Sequence, residues 1–148
     1  MKMSTKGRYG LRAMVDLAVY ASADHVALYG IAARQGISIN YLEQVFSILK
    51  KAGLVKSVKG AQGGYLLSVS PSALKVGTIL RVLEGDLSIV DEKAGGGGGE
   101  TVVQKCIKIN VWDKINKCLN ELVDAITLED LAEDYKRING IGASMYYI

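Results

Sequence analysis

Apolar residues return every third or fourth position through the first fifty residues, and short polar breaks or single glycines separate the stretches. Residues 3–22 carry Tyr9, Leu11, Ala13, Met14, Leu17, Ala18 and Ala21 at helical spacing, with Ser4 or Thr5 as the N-cap. After a polar break at 24–27, Leu28 to Gln35 form a short second helix that turns Ile31 and Ala32 inward and stops at Gly36. Ser38 has the character of an N-cap for a third helix over 39–52, whose apolar face is Leu42, Val45, Phe46 and Leu49. Its opposite face carries Asn40, Glu43, Gln44, Ser47 and Lys50, and Gly53 ends it.

The period then shortens. Residues 54–58 and 65–69 read as two strands joined by the glycine-rich turn 59–64, a β-hairpin with a flexible tip. Pro71 and Ser72 mark the next boundary, and Val76 to Leu83 form a further short helix stopped by Gly85. Residues 91–100 contain five consecutive glycines and read as a flexible linker. The longest predicted helix follows over 101–126, with Val102, Cys106, Ile109, Trp112, Ile115, Leu119, Leu122, Val123 and Ile126 as its apolar set. Thr127 with Asp130 resembles a capping box for a last helix to about Lys136. The expected fold is mainly α with a small β-hairpin: a three-helix-plus-hairpin unit over 1–75, a second region over 76–138 built on the long helix, and a tail over 139–148.

Charge divides the chain at the same place. Over the 148 residues the formal net charge is only +3, but residues 1–75 hold ten Lys/Arg against Asp16, Asp24 and Glu43, a net of +7. The remainder carries −4, so the two halves suggest two tasks, one of them facing a polyanion. Enzyme chemistry is thinly supplied, with a single histidine, His25, in a loop-like stretch and no catalytic constellation around it. The glycine-rich Gly60-Ala61-Gln62-Gly63-Gly64 does not open a helix, so it lacks the context of a nucleotide-binding loop. Arg12 and Asp16 interrupt the first apolar stretch, and no window reaches the length of a membrane span, so a soluble cytoplasmic protein without a membrane partner is expected. Cys106 and Cys118 lie twelve positions apart on one predicted helix, about 18 Å, too far for a disulfide. No metal site is expected.

Three helices followed by a hairpin, with a tight turn at Gln35-Gly36-Ile37-Ser38, is the order of a winged helix-turn-helix. Residues Ser38–Lys50 are then the recognition segment, whose N-terminus offers backbone N–H groups to phosphate. Asn40 and Gln44 have the donor–acceptor pairs to read adenine edges, and Glu43 can accept from a cytosine amino group. The alternative for Glu43 is an intrahelical contact or a hydrogen bond that orients a neighbour. Lys56 and Lys59 flank the hairpin, and Gly60, Gln62 and Gly63 at its tip permit close approach to a double helix.

Several segments in order resemble the Rrf2 family of winged-helix repressors. They are Met3-Ser4-Thr5-Lys6-Gly7-Arg8-Tyr9-Gly10-Leu11, Ile37-Ser38-Ile39-Asn40-Tyr41-Leu42-Glu43-Gln44, Lys59-Gly60-Ala61-Gln62-Gly63-Gly64-Tyr65, Val82-Leu83-Glu84-Gly85 and Thr127-Leu128-Glu129-Asp130-Leu131. The resemblance adds Lys6, Arg8 and Tyr41 to the DNA-binding set. It implies a homodimer formed largely through Ile109, Trp112, Ile115, Leu119, Leu122, Val123 and Ile126, reading a palindromic operator on double-stranded DNA.

Two branches of that family bear on the signal. The branch of the iron–sulfur cluster regulator carries three cysteines at and before the start of the long helix. Here Cys106 matches the last of them, the glycine run stands in the region of the others, and Ile109 stands where that regulator has a histidine, so no cluster is expected. The two cysteines then read as small packed hydrophobes, with a thiol sensor at Cys106 as the alternative. The branch of the cysteine-metabolism repressor is similar from the N-terminal segment to an ending like Met145-Tyr146-Tyr147-Ile148. That repressor acts with O-acetylserine thiol-lyase, an enzyme that binds partners ending in isoleucine. The resemblance implies a tail that docks through Ile148, against the alternative of a tail packed on its own dimer. The expected function is a repressor of cysteine or sulfur genes. A redox or iron–sulfur regulator using Cys106, and an interaction module that regulates the thiol-lyase without binding DNA, are the other readings.

Overall fold

The computed structural model describes residues 2–21, 24–90 and 99–145, with side chains to residue 140. Helix α1 spans Thr5–Tyr20, α2 Leu28–Gln35 and α3 Ile39–Lys51. Strands β1 (Val55–Val58) and β2 (Gly64–Leu67) pair antiparallel, Val55 opposite Leu67 and Val58 opposite Gly64. Helix α4 covers Val76–Glu84. The fold is the expected winged helix-turn-helix, mainly α with one hairpin, followed by long C-terminal helices.

Sequence and packing explain these elements locally. Ser4 caps α1, its hydroxyl accepting from the Gly7 N–H at 3.4 Å. The Glu84 carboxylate, arriving from the end of α4, accepts from the Ser4 and Gly7 backbone N–H groups at 3.0 Å each, and from the Ser4 hydroxyl. A Cβ on Gly7 would stand 2.3 Å from that carboxylate, which is why the first turn of α1 has glycine there. Gly36 ends α2 with φ +64°, a backbone that L side chains rarely adopt, and Ser38 caps α3 by accepting from the Tyr41 N–H at 3.2 Å. The α2–α3 turn is therefore fixed by two adjacent local devices.

The main core joins Ala13, Met14 and Leu17 of α1 to Ile31, to Leu42, Val45, Phe46 and Leu49 of α3, and to Val55. It does not stop at residue 75, because Ile79 and Leu83 of α4, and Leu128 beyond, belong to it. Val76 and Leu80, on the other side of α4, pack with Leu87 and Val123 in a second cluster, so α4 is the wedge between the winged helix and the C-terminal helices. Arg81 fastens that junction with a bidentate bridge to Asp124 (2.7 and 2.9 Å) and a bond to Asn120 (2.6 Å). It holds the Asp124 carboxyl below its ordinary pKa.

The C-terminal region departs from the sequence reading in two ways. The predicted helix over 101–126 is three consecutive pieces: α5 (Val102–Ile107), a π-helical segment (Lys108–Trp112) and α6 (Asp113–Ala125). The wide turn adds a residue without disturbing three-to-four spacing, so periodicity does not reveal it. Asn110 donates from its side chain to the Cys106 carbonyl at 2.8 Å, an acceptor that a regular helix would satisfy with the Asn110 backbone N–H. The second departure is α7, Leu128–Met145, which runs well beyond Lys136. The first seven residues assigned to the tail are thus helical, and 146–148 lie outside the described residues. Thr127 and Asp130 do form the reciprocal capping box, at 2.9 and 3.0 Å. Residues 91–98 of the linker also lie outside the described residues.

Candidate nucleic-acid interface

The surface that carries the sequence-predicted contacts is assembled by α3, the α1–α2 connection and the wing. Along α3, burial of Leu42, Val45, Phe46 and Leu49 turns Asn40, Glu43, Gln44 and Lys50 outward, and all four are exposed. Ser38 is exposed at the cap, and Lys6 and Arg8 are exposed on the first turns of α1. Lys56, Lys59, Gly60 and Gln62 are exposed on the wing, with Gly63 half-buried. Between wing and helices lies a cleft of about 520 Å³ whose walls include Tyr29, Ile39, Glu43, Lys59 and Gly60.

Two predicted contacts have additional commitments within the chain. Tyr41 is half-buried, its ring set edge-on to Tyr9 with centroids 5.9 Å apart, so it orients α3 against α1. The Lys50 ammonium donates to the Ser57 hydroxyl at 2.8 Å and ties the end of α3 to β1. The acids sort themselves as well. Asp16 is buried and neutralised by Arg34, and Asp24 contacts His25 at 2.8 Å. Glu43 is in no hydrogen bond or ion pair among the described residues, so it faces solvent among basic neighbours.

The wing is held at its base by a backbone bridge. Val26 donates to the Tyr65 carbonyl and Tyr65 to that of Val26, both at 2.9 Å. A Cβ on Gly64 would stand 2.2 Å from the Val26 carbonyl oxygen, and one on Gly63 2.2 Å from that of Val58. Close approach thus explains both glycines, but the approaching partner is this chain's own backbone. Gly60, at φ +119°, makes the turn itself.

The positioning residues are the ones sequence reasoning missed. Asp16, read as a mere break in an apolar stretch, accepts from Arg34 Nε (2.9 Å), Arg34 Nη2 (2.7 Å) and Gln35 Nε2 (2.9 Å). It therefore ties the last turn of α2 to α1, and Arg34 is held charged by that bond while lying over the Tyr20 ring at 4.0 Å. Arg12 adds a bond to the Gln35 carbonyl. An acid at an inward position of a helix was the available signal, since such a group must find a partner.

The predicted dimer residues divide between two faces. Leu119, Val123 and Ile126 pack toward α4 of their own chain, Val123 buried and the other two half-buried. Trp112 is half-buried, whereas Ile109, Ile115 and Leu122 are exposed. Ile107 and Val111 are exposed as well, so Ile107, Val111, Ile115 and Leu122 form a set of exposed apolar residues along these helices. Cys106 and Cys118 are both exposed, so neither packs as a small hydrophobe within the chain. Of the tail, Met145 ends α7, while Tyr146, Tyr147 and Ile148 lie outside the described residues. Among the described residues no helix is long and apolar enough to cross a membrane, and no cluster of three or more His, Cys, Asp or Glu forms.

Comparison with known proteins agrees with this geometry. A family model described as "Rrf2: Iron-dependent Transcriptional regulator" matches residues 3–134. The transcriptional regulator CymR of Bacillus subtilis (strain 168) is 43% identical over 132 residues, covering 89% of this chain and 90% of its own. Its solved structure, described as that of the global cysteine regulator of B. subtilis, superposes with a TM-score of 0.76 over 90% of this chain and 97% of that one. The regulator IscR of Aliivibrio salmonicida (strain LFI1238) is 40% identical over 134 residues, 90% of this chain and 79% of its own. A solved IscR from T. potens is 46% identical with a TM-score of 0.75, covering 93% of this chain and 90% of that one.

Proposed function

Because the chain belongs to the Rrf2 family of transcriptional regulators, which act on DNA and are not enzymes, we propose that it is a homodimeric repressor that reads a palindromic operator through α3 and the wing. The observation that carries this reading is the exposure of Asn40, Glu43 and Gln44 on α3 and of Lys56 and Lys59 on the wing, with Glu43 and Lys59 lining one cleft. Asn40 and Gln44 match adenine edges and Glu43 a cytosine amino group, while the lysines and the N-terminus of α3 meet phosphate. An unpaired acid on a basic face repels phosphate unless a base edge receives it, and among the described residues Glu43 has no hydrogen-bond or ion-pair partner. The exposed apolar residues Ile107, Val111, Ile115 and Leu122 supply apolar surface for a second copy.

The regulon we propose is cysteine or sulfur metabolism, with O-acetylserine thiol-lyase as the signalling partner engaged through Ile148. Similarity to CymR supports it, and so does the cysteine count. Identity alone does not separate CymR-like from IscR-like regulators, since CymR of B. subtilis at 43% lies between IscR proteins at 40% and 46%. The ligand set supports the CymR-like reading: with two cysteines in the whole chain, and Cys106 and Cys118 twelve positions apart, the residues do not fit a cluster held by three cysteines of one subunit. A redox role for Cys106 has one observation in its favour, an exposed thiol with the Asn110 amide 3.8 Å from its sulfur. The test is capture of operator fragments from genomic DNA by the intact protein, followed by pull-down with and without Ile148. Operator binding that survives the deletion while the enzyme is lost supports the proposal. No fragment bound, or an undiminished enzyme complex, overturns the corresponding half.

A further inference from the structure

The single histidine of the chain lies between two hydrogen-bond acceptors. Its Nδ1 is 2.8 Å from the Asp24 carboxylate, which also accepts the His25 backbone N–H at 2.8 Å. Its Nε2 meets the backbone carbonyl of Gln62, at the tip of the wing. A neutral imidazole carries one proton and can donate to only one of these, whereas an imidazolium donates to both. The carboxylate is the stronger acceptor, so the neutral ring keeps its proton on Nδ1 and turns the Nε2 lone pair toward the lone pairs of Gln62. That contact is repulsive, and it falls beyond the Val26–Tyr65 bridge, in the turn 59–63, whose own backbone bond runs from the Gly63 N–H to the Gly60 carbonyl at 3.1 Å.

We propose that His25 is a positioning residue for DNA binding: its imidazolium latches the wing tip to the α1–α2 connection, and loss of one proton releases it. The inference rests on the wing being part of the DNA-binding surface. The charged and titratable groups of the neighbouring elements leave Asp24 as the ring's one ionic contact among the described residues. On the wing, Lys56, Lys59 and Tyr65 make no ion pair with His25 or Asp24; on α2, Tyr29 is exposed and Arg34 is engaged by Asp16; on α3, Glu43 makes no ion pair with the ring. The Asp24 carboxyl is held below its ordinary pKa, first by the His25 backbone N–H and then by the ring, so it remains an acceptor throughout the range in which imidazoles change charge. The sign follows: the latch is closed at the acid end of that range and opens as the pH rises.

With one histidine present, ring-nitrogen NMR shifts follow its titration without assignment by mutation. In the free protein, heteronuclear NOE values at Gly60, Ala61 and Gln62 should fall as the ring loses its proton. Operator affinity should be about fivefold tighter with the ring charged than with it neutral, the worth of one ordinary hydrogen bond. The salt slope of binding should be the same in both charge states, because the imidazolium fastens the wing and does not contact phosphate. Two variants separate this from a simple charge effect. His25→Ala removes the latch, leaving the wing mobile and the affinity flat with pH. Asp24→Ala frees the neutral ring to put its proton on Nε2, so the wing stays ordered across the range and the pH dependence disappears. Asp24 is 83% exposed at its side chain, so this change leaves the fold intact. Wing order that ignores the titration, or an Asp24→Ala variant that keeps the wild-type pH profile, overturns the proposal. Wing order that follows the titration with no DNA bound in either charge state leaves the latch standing and overturns the DNA reading instead.

Discussion

The Asp16–Arg34 pair joins two charges with very different access to water, and this makes the cost of breaking it depend on which partner is removed. The Asp16 side chain is 0% exposed and that of Arg34 is 34% exposed. Arg34→Ala leaves a buried carboxylate with one side-chain donor, Gln35 Nε2 at 2.9 Å, and a stranded buried charge costs about 3–5 kcal/mol. Asp16→Ala leaves a guanidinium that can turn into solvent and that still has the Tyr20 ring beneath it at 4.0 Å. Its cost is reduced to lost hydrogen bonds and a small void, about 1–3 kcal/mol. Urea unfolding of both single variants and the double variant, at one protomer concentration, measures the difference. The double variant should be less destabilised than Arg34→Ala alone, because it removes the stranded charge. Equal losses for the two single variants, or Asp16→Ala the worse, would refute the reasoning. Both variants should also weaken DNA binding, because the pair fixes the end of α2 from which Gly36 and Ser38 launch α3.

Other outcomes follow from the same geometry. Glu84→Gln should destabilise the fold by about 1–2 kcal/mol in urea unfolding, since the carboxylate accepts two backbone N–H groups at the start of α1. Gly64→Ala should weaken operator binding at least about tenfold while circular dichroism stays helical, because a Cβ there would stand 2.2 Å from the Val26 carbonyl oxygen and displace the wing. Lys59→Ala should lower affinity on every sequence and reduce the salt slope by about one. Arg81 holds the Asp124 carboxyl below its ordinary value of 3.8, so the bridge contributes fully above that value and is lost as the pH falls below it. Acid unfolding of Arg81→Ala should accordingly show a shallower pH dependence below about pH 4 than the parent protein.

Much of this architecture is legible in the sequence because it depends on local signals. Ser38, Gly36 and the inward set Leu42, Val45, Phe46 and Leu49 place α3 and its outward face without reference to the rest of the chain. The base of the wing is written in its glycines, although the reason for Gly64 is the backbone of Val26, thirty-eight residues earlier. What periodicity cannot show is partnership across the chain. Asp16 with Arg34, Glu84 with the start of α1, and His25 with Gln62 are pairs of polar groups that only folding brings together. The helix over 101–126 shows the other limit. Periodicity presents its apolar residues as one set, but α6 divides its share between two faces, Leu119 and Val123 packed toward α4 and Ile115 and Leu122 exposed.

The central claim is that α3 and the wing read an operator, and binding as a function of salt tests it most directly. Between about 50 and about 200 mM salt, a fragment selected from genomic DNA should lose affinity steeply, with log K linear in log salt. At fixed salt, Asn40→Ala or Gln44→Ala should relax discrimination between that fragment and scrambled DNA by about 1–3 kcal/mol per base pair read. Weak binding that is equal on selected and scrambled fragments, with the Asn40 and Gln44 variants indistinguishable from the parent, would contradict it.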